Sequence, residues 1–314
     1  MRKTIAVFCF LALPAGGSCF FFGLGQNKAQ ELYAAIEADF ERGDCTSVLE
    51  KAEAFLKEGP PARLKETVYR YTGVCYERDG LADRAVSLYK LASGLYPENY
   101  FFMARLADIY LNTGFYSNAI PLFTKIIAAR SYDAAANLGL ARAYARLGFL
   151  ARSKAYYSRA VALTDFGDMT VLQEYAAVMV DKRDWPEALM LAGKGIKAAP
   201  LDAYWPRTLA RIRAGQGDFS EAAAQMNLAQ KLSPGRRSIQ LEKALYELLG
   251  GNSAGAISGA EAGLAELPAD PLAALIKGLA LYKEGKAEQA KTYFESAAKN
   301  GEPFTAKVAG VFLK

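Results

Sequence analysis

Not one of the 314 residues is histidine. That absence removes histidine-based catalytic triads, histidine-ligated zinc and the usual general base near neutral pH, leaving carboxylates, Lys, Tyr or Cys for any catalysis. Cysteine is scarce as well, with four in the chain. Cys9 and Cys19 fall in the N-terminal segment, and the spacing of Cys45 and Cys75 matches neither a metal site nor a C-x-x-C redox motif. These two read first as isolated buried thiols, or in an oxidising compartment as a bonded pair where geometry allows. A charge excess is also lacking: 38 Lys and Arg against 33 Asp and Glu give +5, two units of which belong to Arg2 and Lys3. Nucleic acid is therefore not an expected partner, since such binding shows as a strongly basic face. No metal or cofactor is expected either. Gly250-Gly251-Asn252-Ser253 lacks the lysine of a phosphate cradle, and Glu37 and Glu41 read as a solvated pair on one helix face.

What is present is apolar material, 52% of the residues with 18 Tyr and 17 Phe, enough for a packed core. Its first concentration is at the N-terminus. Behind Arg2 and Lys3 the stretch from Thr4 to Leu13 is almost wholly apolar and ends in the small residues Ala15, Gly16, Gly17 and Ser18. That is the layout of an export signal over residues 1–25, linker included. Cleavage before Cys19 would make it a lipid acceptor, as in bacterial lipoproteins, although Gly16 stands where a large apolar residue is usual. Plain secretion and an uncleaved membrane anchor remain open, because no charge occurs between Lys3 and Lys28.

From Gln26 onward a period of 34 residues organises the chain. Tyr76, Tyr110 and Tyr144 keep that step, as do Gly80, Gly114 and Gly148, and Tyr89, Phe123 and Tyr157. Gly217, Gly251 and Gly285 resume it after one inserted residue, placed near Phe166-Gly167-Asp168. Each period reads as two amphipathic helices. Tyr69, Thr72, Gly73 and Tyr76 recur at helical spacing before the break at Asp79-Gly80, then Ala85, Leu88, Tyr89 and Ala92 recur before Pro97.

Those positions, Tyr69, Gly73, Tyr76, Ala85, Tyr89, Ala92 and Pro97, resemble the tetratricopeptide repeat pattern. The resemblance implies an all-α fold, a right-handed superhelical solenoid of helix-turn-helix units over residues 26–304. Eight units are expected, starting near 29, 66, 100, 134, 169, 203, 237 and 271, with a C-terminal capping helix over 305–314. Gly73, Ala107, Ala141, Ala176, Ala210, Ala244 and Gly278 fall where the two helices of a unit would cross, and close approach demands small residues there.

The resemblance also implies a concave wall lined by the first helix of every unit, and therefore a protein or peptide partner. Register places Arg70, Arg78, Arg142, Arg146, Arg207 and Arg211 on that wall, with Glu77, Asp108 and Asp181 available to pair with them. Further along it places Leu241, Leu245, Leu248, Leu249, Leu272, Leu275 and Leu279 on the same side, where a partner segment, the chain's own tail or a second copy would cover them. The functional expectation is a non-enzymatic scaffold of the bacterial cell envelope, in the periplasm or on the periplasmic side of the outer membrane. It would serve outer-membrane assembly, a pilus or a secretion-type complex. The rival expectation is an accessory subunit of an enzyme acting on peptidoglycan or exopolysaccharide, or a glycan-binding protein.

Overall fold

The structure, a computed structural model, describes residues 22–164 and 168–313, with side chains from residue 28 onward. The export signal, Cys19, and Phe166 and Gly167 of the insertion lie outside the described residues. Among the described residues every regular element is a helix, and the chain falls into two compact units divided between residues 131 and 132.

The first unit holds three helix pairs: α1 (Phe22–Arg42) with α2 (Cys45–Lys57), α3 (Ala62–Arg78) with α4 (Ala82–Leu95), and α5 (Tyr100–Asn112) with α6 (Tyr116–Ala129). The second holds five: α7 (Ala134–Arg146) with α8 (Leu150–Leu163), α9 (Met169–Asp181) with α10 (Trp185–Ala198), α11 (Tyr204–Gly215) with α12 (Phe219–Leu232), α13 (Arg237–Leu249) with α14 (Ser253–Glu266), and α15 (Pro271–Lys283) with α16 (Ala287–Asn300). A seventeenth helix, α17 (Pro303–Val311), closes it.

Short polar side chains start many of these helices by accepting hydrogen bonds from otherwise unpaired N–H groups. Asp133 accepts from the Ala136 amide at 2.9 Å, Asp218 from Glu221 at 3.0 Å and Asn252 from Gly255 at 3.1 Å, while Asp270 takes both Leu272 and Ala273 at 2.9 Å. Between the helices of seven pairs the turn carries a left-handed residue, which is glycine because an L side chain is strained there. In the α9–α10 turn Arg183 takes that conformation, with φ 58°.

The close helix crossing is real. A Cβ added to Gly73 would stand 2.2 Å from the Tyr89 ring, and one added to Gly278 would stand 2.8 Å from the Phe294 ring. Ala107, Ala141, Ala176, Ala210 and Ala244 are fully buried at the matching places. The same logic works between pairs, where Gly195 lies against the buried Trp205. In the first unit Cys45 and Cys75 are bonded, tying α2 to α3 across a Cα separation of 5.1 Å. The reading of two isolated thiols is thereby corrected: they lie on successive helices, and spacing along the chain does not show that packing brings them face to face.

At the other end α17 packs on α15 and α16. Phe312 stacks on Phe294 at 4.8 Å and meets Tyr282 edge-on at 5.1 Å, while Val308 and Leu313 lie against the cluster containing Leu275, Leu281 and Ala297.

Candidate functional site

A cluster of one carboxylate, one phenol and one arginine recurs along the chain, with carboxylate and arginine on neighbouring first helices and the phenol on a second helix (Tyr89 on α4, Tyr157 on α8) or on the carboxylate's own helix (Tyr246 on α13). On α3, Glu77 accepts from the Tyr89 phenol at 2.6 Å and from Arg105 Nε at 2.9 Å. On α9, Glu174 accepts from Tyr157 and from Arg142 Nε, both at 2.7 Å. On α13, Glu242 accepts from Tyr246 at 3.0 Å and from Arg207 Nε at 2.5 Å. Each cluster ties two neighbouring first helices, so it orders the wall it lies on.

Burial, followed by the bond to its carboxylate, pushes the Tyr89 and Tyr157 phenols well above their usual range. Burial also drives up Tyr246, with Glu242 adding to it. For Glu174 burial works to raise the carboxyl, but the hydrogen bonds from Arg142 and Tyr157 prevail and hold it below its ordinary value. None of these groups is positioned as a free acid or base. They are mutually satisfied, which suits a rigid surface better than proton transfer. Among the described residues, no three acidic or Cys side chains gather to hold a metal ion.

The sequence-predicted arginines do not form one basic array. Arg142 and Arg207 are spent in the clusters above, and Arg211 faces Asp181 at 3.4 Å. Arg146 is exposed and adds its field to Glu174. Arg70, in the first unit, lies over the Tyr71 and Phe101 rings at 5.6 and 5.9 Å, and Arg78 lies over Phe40 at 5.2 Å. Asp108 pairs with Arg105 at 3.9 Å. Within each unit the first helices thus carry both charges. Two carboxylates that reasoning from register missed are Asp39, buried and paired with Arg42 and Lys51, and Asp270, buried and paired with Arg237.

The leucine strip needs a larger correction. Leu241, Leu248 and Leu275 are core residues, at 5%, 6% and 7% exposure. Leu248 packs with Ala256, Ala260 and Ile276, Leu241 meets Gly263 on α14, and α17 helps bury Leu275. A helical register assigns a face, but α13 and α15 lie side by side and each covers part of the other's face. What stays open is narrower: Leu249 and Leu272 are exposed, and Leu245 and Leu279 are half-buried.

Leu245 and Leu272 do come together. With Leu241 below them and Ser238 beside them, they line a cavity of about 380 Å³ whose charged rim is Arg207 with Glu242 and Arg237 with Asp270. A second hollow, of about 560 Å³, lies among α14, α15 and α16. There Lys277 pairs with Glu261 at 2.8 Å and sits 4.5 Å over the Tyr293 ring.

Residues 105–168 match the family model described as tetratricopeptide repeat. Among curated proteins, the tetratricopeptide repeat and J domain-containing co-chaperone DNJ1 of Fusarium oxysporum f. sp. lycopersici is 26% identical over 271 residues, 83% of this chain and 51% of that protein. The chain therefore spans about half the length of this curated relative. Among solved structures, yeast Tom70 aligns with a TM-score of 0.52 at 16% identity, over 96% of this chain and 66% of that one, a likeness of fold. A tetratricopeptide repeat protein from Parabacteroides merdae aligns over 91% of this chain and 98% of its own at 15% identity and a TM-score of 0.47. Within the described residues the fold is all-α, eight helix-turn-helix pairs followed by a distinct C-terminal helix, and its residues 105–168 match the tetratricopeptide-repeat model.

Proposed function

We propose that the protein is a non-enzymatic scaffold that holds a segment of another polypeptide on the first-helix wall of α11, α13 and α15. The observation that carries this reading is the cavity in which Leu245 and Leu272 face open space between two ion pairs, Arg207 with Glu242 and Arg237 with Asp270. Apolar walls with a few fixed polar groups at the rim suit an apolar side chain on a segment whose backbone or polar neighbours meet the rim. The curated relative is named a co-chaperone, which accords with a polypeptide as the partner.

The setting we propose is the bacterial envelope, reached by way of the N-terminal signal and held there through Cys19 or an N-terminal anchor. The Cys45–Cys75 bond supports an oxidising compartment, because such bonds persist where thiols are not kept reduced. Within that setting an assembly, pilus or secretion complex is the intended partner system. Among the described residues no helix is long and apolar enough to cross a membrane.

Capture of partners by the purified chain, compared with a Leu245→Glu/Leu272→Glu variant, tests the wall. Burying a carboxylate in the cavity costs roughly several kcal/mol unless it finds a partner, so a protein held there should be lost. Leu91→Glu, at an exposed position on α4 in the first unit, should retain it. An unchanged set of captured proteins with the double variant, its helix content intact, overturns the reading.

A further inference from the structure

The most basic stretch of the chain is α7 and α8. From 134 through 164 there is no Asp or Glu, yet Arg142, Arg146, Arg152, Lys154 and Arg159 all fall within it. Later helices neutralise two of these: Glu174 takes Arg142, and Asp184 and Glu187 take Lys154 at 2.9 and 3.3 Å. Arg146, Arg152 and Arg159 make no ion pair with any described residue. Arg146, on α7, adds its field to Glu174, whereas Arg152 and Arg159 lie over aromatic rings. The Arg152 guanidinium is 5.4 Å from the Tyr144 ring centre and 5.7 Å from that of Phe149, and Arg159 is 5.8 Å from Tyr156. Tyr144 and Tyr156 are themselves stacked at 5.6 Å, and Phe149 meets Tyr144 edge-on at 6.1 Å.

Phe149, Arg152, Tyr156 and Arg159 follow one another at helical spacing, so they form a single stripe on α8. Both arginines are exposed, as is Phe149. An exposed arginine ordinarily loses much of its attraction for an anion to the cost of ordering a long side chain. Seating on a ring removes part of that cost and leaves the edges of the guanidinium free to grip a carboxylate with two bonds. Seven residues of helix set the two arginines roughly 10.5 Å apart along the axis. Three residues of an extended chain in the polyproline II conformation, which brings every third side chain back to the same face, cover about 9 Å.

We propose that this face of α8 binds an extended acidic polypeptide segment, with carboxylates three residues apart on Arg152 and Arg159 and an apolar side chain against Phe149. The number of free cations decides the class. Recognition of anionic membranes is carried by clusters of about four to eight basic residues. Electrostatic binding of nucleic acid typically neutralises several phosphates. Two aligned, ring-seated arginines fit a pair of carboxylates. The stripe lies on the second helix of its pair and does not depend on the first-helix wall.

The test is fluorescence anisotropy of the full chain with a dye-labelled peptide, Phe-Ser-Glu-Ser-Ser-Glu, beside the same peptide with Gln for both Glu. The acidic peptide should bind and the Gln form should not. Arg152→Glu with Arg159→Glu should weaken binding by about tenfold or more, while Lys291→Glu, an exposed cation on α16, should leave it unchanged. If charge reversal lowers the helix content, Arg152→Gln with Arg159→Gln is read in its place, with the same loss expected. The proposal is overturned if the unaltered chain ignores the acidic peptide, or if Lys291→Glu weakens binding as much as the double variant. It is equally overturned if the two arginines retain phosphatidylserine vesicles or oligothymidylate in preference to the peptide.

Discussion

Arg183 occupies a backbone conformation that the other helix-pair turns give to glycine, and it does so with a side chain whose Cβ crowds the following carbonyl. Replacing it with glycine should stabilise the second unit by about 0.5–1 kcal/mol, relief of strain being partly offset by the greater freedom of glycine in the unfolded chain. Chemical denaturation of Arg183→Gly beside the parent measures this, and a loss of stability would show that the turn is not strained. The period marks this site plainly, since Gly148 and Gly217 flank it one step away on either side, allowing for the inserted residue. The tyrosines were equally legible as core. The hydroxyl groups of Tyr89 and Tyr157 were not, because their acceptors Glu77 and Glu174 come from other helices with no local spacing to join them, whereas Glu242 stands four residues before Tyr246 on α13, a spacing open to view in the sequence.

At the scale of the helices, spacing was a strong guide to where elements begin. Helices α5, α7, α9, α13 and α15 start at Tyr100, Ala134, Met169, Arg237 and Pro271, each of them a residue that the 34-residue step marks. It failed where local chemistry overrides the period: Pro60 and Pro61 precede α3, which starts at Ala62 rather than 66, and α1 reaches back to Phe22 rather than 29. Exposure was the poorer inference. Leu241 and Leu249 share a register-derived wall, yet one is core and the other half open, because a neighbouring helix covers the first and not the second. The bond between α2 and α3 belongs to this scale too, closing a loop of sequence separation 30. In protein taken from cells with its thiols trapped by alkylation, mass spectrometry should find Cys45 and Cys75 linked. Reduction should then cost about 2–4 kcal/mol, lost from the first unit. Finding both thiols alkylated in freshly isolated protein would remove the support the bond lends to export.

For the molecule as a whole, the missing histidine and the many buried phenols together set how stability depends on pH. Glu174 and Asp184 are held below their ordinary values, the first by Arg142 and Tyr157 against the pull of burial, the second chiefly by Lys154. A depressed carboxyl stabilises the fold above its unfolded pKa, here 4.5 for Glu and 3.8 for Asp, and that contribution disappears as pH falls through the folded value. Acid therefore destabilises the protein below about pH 5. No side chain with an ordinary pKa in the neutral range exists to alter the balance between that limit and the onset of tyrosine ionisation. Tyr89, Tyr157, Tyr175, Tyr204 and Tyr246 are all raised above 10.0, with burial the largest cause in each. Above that pH the unfolded chain gives up phenolic protons that the folded chain keeps, so unfolding is progressively favoured. The raised ammonium groups of Lys154 and Lys277 act in the same direction, since their stabilisation fades as pH climbs through their folded values. Melting temperature should accordingly be nearly flat from about pH 6 to 9 and drop steeply beyond about pH 10, with tyrosinate absorbance rising at the unfolding step itself. Ionisation of all the tyrosines while the helical signal is still intact would mean that these phenols are open to water and that the clusters of Glu77, Glu174 and Glu242 do not hold them.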